Sequence, residues 1–349
     1  MMGFEGISTV CPDYSCNATV KLEQALVKEG TGPKVQDQFL SEMPDIFSAL
    51  CGKKCENFVD RIRCFFSEET CSDDGMSPAS IKRLVDQQRR FMARKAFEKG
   101  MTTAEYIREK TGGGGLYARG RRASWWESLS DDEKIHWERR FETVVKTIKR
   151  EAPDDIKELI ADVEKKGGGI RFKPASTEEM GADAYNMNHN LCVGKNWVLT
   201  AEKNTTHIFA NIYHELAGHE NYEEHSYLLS TKIIEGVLDT LTREEKIVAK
   251  GGTRPIYAVY QYPETEIYAE LCELKYYQEG SLGDNPSQDV RQKLLDLAAV
   301  YSPTVARAIV AQLARYLVSE HSQATKEALD LFARESKSIF GVDYLSISN

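Results

Sequence analysis

A glutamate lies between two histidines in Tyr213-His-Glu-Leu-Ala-Gly-His219. Imidazole nitrogens bind zinc, and a glutamate beside them is placed to act as a base on a metal-bound water. In the common zinc motif the histidines are four apart, so both rings leave one face of a helix. Here they are five apart. On a regular α-helix five residues turn through about 500°, which leaves the rings roughly 140° apart around the axis. The two can share a metal only if the helix absorbs one extra residue, as a π-bulge does. Gly218, directly before the second histidine, permits such a distortion. The spacing therefore predicts a helix with a loosened turn between residues 214 and 219.

A catalytic zinc normally has three protein ligands and one open position, so a further ligand is expected downstream on another helix. Tyr262-Pro-Glu-Thr-Glu-Ile-Tyr-Ala-Glu270 supplies it. Glu266 and Glu270 are four apart and share a helix face. Glu266 is expected to ligate the metal. Glu270, one turn on, is expected to accept a hydrogen bond from a ligand histidine and fix its tautomer. Glu264 is the reserve for either role.

The pattern His214-Glu-x-x-x-His219 followed by Glu266-x-x-Ala-Glu270 resembles the glutamate-zincins. It is most similar to the six-residue version found in the dipeptidyl peptidase III family. The resemblance implies that His214, His219 and Glu266 hold Zn2+, that Glu215 is catalytic, and that Glu270 supports the ligands from behind. It runs only from His214 to Glu270; Thr265 stands where the family has an additional glutamate, and the rest of the chain does not resemble that longer, two-lobed family. An exopeptidase activity is therefore not carried over. The stretch from Tyr185 to Val193 resembles the edge strand that precedes the motif helix in zincins and pairs with extended substrate. Zinc lowers the pKa of its bound water and polarises the scissile carbonyl; Glu215 would take the water's proton and pass it to the leaving amine. Zincins add a tyrosine or histidine that steadies the oxyanion. Tyr257, Tyr260, Tyr262, His225 and His321 are the candidates, with the tyrosines of the 257–262 loop preferred and Tyr260 and Tyr262 expected to be catalytic.

The elements that must position these residues read as α+β and helix-rich. Helical spacing marks Leu22 to Leu26, Phe39 to Leu50 and a long helix opened by Ser77-Pro78. Gly112 to Gly115 and the basic Arg119, Arg121 and Arg122 read as a linker, because the G-K-[ST] ending of a phosphate loop is missing. Ser130-Asp-Asp-Glu133 reads as a capping box opening another helix. Gly167-Gly-Gly169 marks a second boundary, followed by strands at Ile170-Arg-Phe172, Asn190-Leu-Cys-Val193 and Trp197-Val-Leu199. Asn204 or Thr205 then caps the motif helix, and the chain is helical from there on. The resulting division is a helical, cysteine-containing N-terminal region (1–111), a linker with a helical segment (112–166) and a zincin-like metallopeptidase domain (167–349) with a small sheet and an active-site helix.

Composition narrows the function classes. A net charge of −9 argues against a general nucleic-acid binder. No apolar run is long enough to span a membrane, and the N-terminus has neither the basic nor the apolar segment of a cleaved leader. The expected location is cytoplasmic, or outside the cell by a route needing no such leader. Cys11, Cys16, Cys51, Cys55, Cys64 and Cys71 are read first as buried thiols, next as disulfides and last as a zinc site. The sequons at Asn17 and Asn204 are read as chance matches. His136 lacks the second E-x-x-H of a di-iron bundle, His207 reads as an ordinary surface or core histidine, His189 is a candidate for lining the cleft, and Trp125, Trp126 and Trp137 read as core. The partner expected is a protein or peptide substrate. The layout fits a toxin or effector protease; the competing class is a zincin-fold scaffold that does not hydrolyse.

Overall fold

The computed structural model describes residues 78–110, 124–226, 228–249 and 263–342. The expected helices between residues 22 and 50, the six N-terminal cysteines, the sequon at Asn17, the linker at Gly112–Gly115 with Arg119, Arg121 and Arg122, and Tyr257, Tyr260 and Tyr262 lie outside the described residues.

Pro78 opens α1 (Pro78–Glu98), where its missing N–H costs nothing. Leu84, Val85, Gln88, Met92 and Ala96 recur at helical spacing and are buried. After α2 (Thr103–Lys110) and a short 3₁₀ turn at Trp126–Ser128, α3 (Asp131–Glu151) starts with the expected capping box: Ser130 accepts from Glu133 N and Glu133 reaches back to Ser130 N. In α4 (Asp154–Lys165), Ile156, Ile160 and Val163 face the core.

The glycines at 167–169 lead into β1 (Gly169–Phe172). Gly168 is needed by close approach, since an added Cβ would stand 1.7 Å from His189 O. After α5 (Pro174–Met180), β2 (Ala184–Met187) and β3 (Asn190–Val193) form a hairpin whose two-residue turn, Asn188-His189, has both residues at positive φ. The sheet order is β1-β3-β2, with β1 parallel and β2 antiparallel to β3; Gly169 pairs with Asn190 and Ala184 with Val193. The strand expected at Trp197-Val-Leu199 is instead part of α6 (Lys195–Lys203). The buried residues there are Trp197, Val198 and Ala201, a helical rather than an alternating pattern, and three β-formers are too short a run to reveal the period.

Asn204 caps a 3₁₀ turn (Thr205–Ile208) by accepting from Thr206 N at 3.1 Å. α7 (Phe209–Tyr213), a π-helical turn (His214–Glu220) and α8 (Asn221–His225) then follow one another directly as one motif helix. The remaining helices are α9 (Leu229–Asp239), α10 (Arg243–Ala249), α11 (Pro263–Glu273), α12 (Pro286–Val300), α13 (Pro303–Leu317) and α14 (Lys326–Phe340). The described residues are thus helix-rich α+β with a small three-stranded sheet. No described helix is long and apolar enough to cross a membrane.

β2, α4 and α11 all pack on the π-helical turn of the motif helix. Core packing crosses both boundaries drawn at 111/112 and 166/167. α1 packs on α9 and α13, α2 on α10, α3 on α6, and α4 on β1. Trp126 and Trp137 are half-buried rather than fully buried, and pack with Phe141 around Phe172 of β1.

Gln88 ties α1 to the α12–α13 junction. It is fully buried, donates to Val300 O at 3.2 Å and accepts from Ser302 N at 2.8 Å. Gln88→Met would keep the volume and leave both backbone groups unpaired. It is expected to lower unfolding free energy by about 2–4 kcal/mol in a denaturant titration followed at the sheet-side tryptophans. An unchanged midpoint would mean that α1 is not part of the same cooperative core.

Candidate metal centre

The loosened turn demanded by the five-residue spacing is present. Asn221 N–H reaches back five residues to Leu216 O, which closes a π-helical turn over His214–Glu220. The inserted residue brings the two rings together: His214 Nε2 and His219 Nε2 are 3.2 Å apart. A tetrahedral zinc with bonds of about 2.0–2.1 Å to each nitrogen sets them about 3.3–3.4 Å apart, so the donor pair fits that ion. The Glu215 carboxylate joins the two imidazoles within 4.8 Å. Glu266 Oε1 is 3.6 Å from His219 Nε2, and its side chain remains 41% exposed, open on one side.

Gly218 acts for a different reason from the one its position suggested. Its backbone lies outside the positive-φ region, and a Cβ there would stand 2.5 Å from Ala269 Cα and 2.6 Å from Ala269 Cβ. Glycine is required by the approach of α11, not by the dihedrals of the bulge. The pairs His219 with Glu266, Gly218 with Ala269 and His214 with Glu273 show that the two helices run antiparallel.

That register assigns the tautomer-fixing bond differently from expectation. His214 Nδ1 bonds Glu273 Oε2 at 2.9 Å, which leaves Nε2 directed at the centre. Glu270 lies near His214 alongside Glu273, but its carboxylate is 3.4 Å from Lys293 Nζ. Glu273 was legible in principle: Glu266, Glu270 and Glu273 repeat at i, i+4 and i+7. Glu264, the reserve ligand, serves elsewhere. It is fully buried and accepts from Ser230 N (3.3 Å) and Ser230 Oγ (2.8 Å), capping the start of α9.

Support reaches the motif helix from the sheet as well. Asn186 of β2 donates through Nδ2 to Glu215 O and to Glu220 Oε2, each at 3.1 Å. His189, in the hairpin turn, bonds Glu220 and so fastens the hairpin to the motif helix rather than lining the centre. Glu220 and Glu224 also meet Lys166 Nζ, at 3.6 and 2.6 Å. Of the other histidines, His207 packs on Gly280, His136 is exposed on α3, and His225 stacks on His321 at 4.5 Å. None of these joins the cluster around His214 and His219. Cys192 and Cys272 are buried free thiols.

Burial of several carboxylates beside two imidazoles polarises the site. Burial disfavours a charged His214, but its bond to Glu273 and the charges of Glu215 and Glu270 outweigh that and hold its pKa up at about 10. Burial takes His219 down to about 4 against the pull of Glu266. Burial also raises Glu215 to about 7, against the opposing influence of His214. A buried carboxyl at that value can take and return a proton near neutral pH.

Comparison with protein-family models, with curated proteins and with solved structures finds no match.

Two outcomes follow. Gly218→Ala is expected to push α11 from the motif helix, costing about 1–3 kcal/mol of stability and weakening zinc binding; wild-type values for both in denaturant and chelator-competition titrations would refute the close approach. A zinc ion binding His214 Nε2 would have to displace a proton from it at any pH below about 10. Zinc affinity should therefore keep rising by about tenfold per pH unit from pH 7 to 9, where an ordinary histidine would already have levelled off. A flat profile over that range would remove the raised pKa of His214.

Proposed function

We propose that this chain is a zinc-dependent peptidase of the zincin type, acting on a protein or peptide substrate. The observation that carries the reading is the π-helical turn that directs His214 Nε2 and His219 Nε2 at one point, 3.2 Å from each other, with the buried Glu215 between them in sequence. His214, His219 and, from α11, Glu266 would hold the metal. Bound there, zinc supplies an acidified water and a polarised carbonyl.

The remaining steps belong to the chain's own groups. Glu215 accepts the water's proton and returns it to the leaving nitrogen, for which a pKa near 7 suits it. Glu273 holds the His214 ring in one tautomer, and Asn186 fixes the Glu215 backbone. A buried structural zinc would need neither a free base nor an open position. β2 ends the sheet among the described residues and packs on the π-helical turn. Its unpaired main chain is suited to bind an extended peptide beside Glu215.

The test is elemental analysis joined to a peptide-library cleavage assay. Wild type and Glu215→Gln should each carry about one zinc, as a three-ligand catalytic site requires, and His214→Ala little. Glu215→Gln should cut about 10²–10⁴-fold more slowly than wild type. Zinc retained by His214→Ala would overturn the ligand set. Zinc bound with no cleavage of any library member would favour a non-hydrolysing scaffold.

A further inference from the structure

Lys293, on α12, lies outside every sequence pattern that pointed to the metal centre, yet its ammonium reaches two of the carboxylates of α11. Nζ is 3.6 Å from Glu266 Oε2 and 3.4 Å from Glu270 Oε1. Glu266 therefore spans two partners, one oxygen toward His219 Nε2 at 3.6 Å and the other toward Lys293. An exposed glutamate on a helix surface samples several rotamers, and fixing it for a metal costs entropy. Glu266 is 41% exposed, so packing alone does not fix it. Glu270 poses the opposite problem. Its side chain is only 8% exposed, near Glu273 and His214, and a buried carboxylate needs a counter-charge.

We propose that Lys293 is a positioning residue of the metal centre: by holding the outer oxygen of Glu266 while neutralising Glu270, it presets Glu266 as the third ligand. This rests on the zinc reading given above. Lys293 is no ligand itself, because an ammonium has no lone pair. Its charge repels a dication, so charge alone predicts that its removal tightens zinc binding. Positioning predicts the reverse. The sign of the change separates the two.

The experiment is a zinc titration of the full chain against a competing chromophoric chelator at fixed pH, with Lys293→Met, Lys293→Arg and Lys293→Gln beside wild type. Loss of a group that orients a metal ligand typically weakens metal binding by about 10–100-fold. Lys293→Met and Lys293→Gln should each show a loss of that size, while Lys293→Arg stays within about threefold of wild type, since guanidinium also pairs with carboxylates. Lys293→Met and Lys293→Gln also leave buried Glu270 without its counter-charge, so their chelator-treated forms should unfold at a lower temperature than wild type; a merely structural role would weaken zinc binding equally with and without Glu266. In a Glu266→Gln background, Lys293→Met should add no further loss. Wild-type or tighter zinc binding by Lys293→Met, or a full additional loss in the Glu266→Gln background, would overturn the inference and leave the peptidase reading standing. A wild-type chain that takes up no zinc would overturn both. If Lys293→Met does not fold, Lys293→Gln carries the same comparison.

Discussion

Gly218 and Ala269 meet backbone to backbone, and the centre depends on that meeting. Side chains of two crossing helices normally hold the axes 8–10 Å apart. A glycine opposite an alanine lets them come closer, and only then do the short carboxylates of α11 reach the imidazoles of the motif helix. The antiparallel register around this crossing decides the rest. It brings Glu266 to His219 on one side of the contact and Glu273 to His214 on the other. α11 is also anchored along its length: Glu264 in its first turn caps α9, Ala269 sits at the crossing, and Glu273 closes the last turn on a histidine.

Two clusters of similar composition show why one of them suits a metal. His189, Glu220 and Glu224 gather a histidine with two carboxylates, as does the group of His214, Glu270 and Glu273. In the first, the Lys166 ammonium sits among the carboxylates and also reaches Asp162 at 2.8 Å, so the negative charge already has its cation. Beside the second, the Nε2 atoms of His214 and His219 face each other across 3.2 Å. Neither can satisfy the other unless a proton or a cation lies between them. Lys293 stands at the edge, paired to carboxylates rather than directed between the rings.

Much of this arrangement could be read from residue spacing, because helical geometry is local. The bulge followed from a five-residue interval, the capping box from Ser130 and Glu133, and the shared face from Glu266 and Glu270. What escaped the sequence was set by tertiary contact. Glu273 belongs to the same stripe as Glu266, but only the register between two helices decides which carboxylate meets His214. Lys293 is one more lysine on an amphipathic helix until α12 is laid against α11. Gly167-Gly-Gly169 has the composition of a linker, yet its middle residue is glycine because the chain passes against His189 O. Composition does not separate a glycine kept for freedom from one kept for closeness. Trp197-Val-Leu199 was misread because a three-residue window carries no period.

The π-helical turn is equivalent to one residue inserted into an otherwise continuous helix. Each residue of α-helix turns by about 100°, so an insertion rotates everything beyond it unless the extra residue is absorbed in place. Here the segment past the turn is committed to its orientation: Tyr222 is fully buried with its ring 5.2 Å from Tyr268 and 4.6 Å from Tyr316, and Asn221 Nδ2 donates to His321 O. A lineage that lost the extra residue would recover the commoner histidine spacing but would have to rotate this aromatic cluster out of the core or rebuild it. The motif length is thus guarded by hydrophobic packing one turn beyond the centre, and the long form can persist under selection for folding alone.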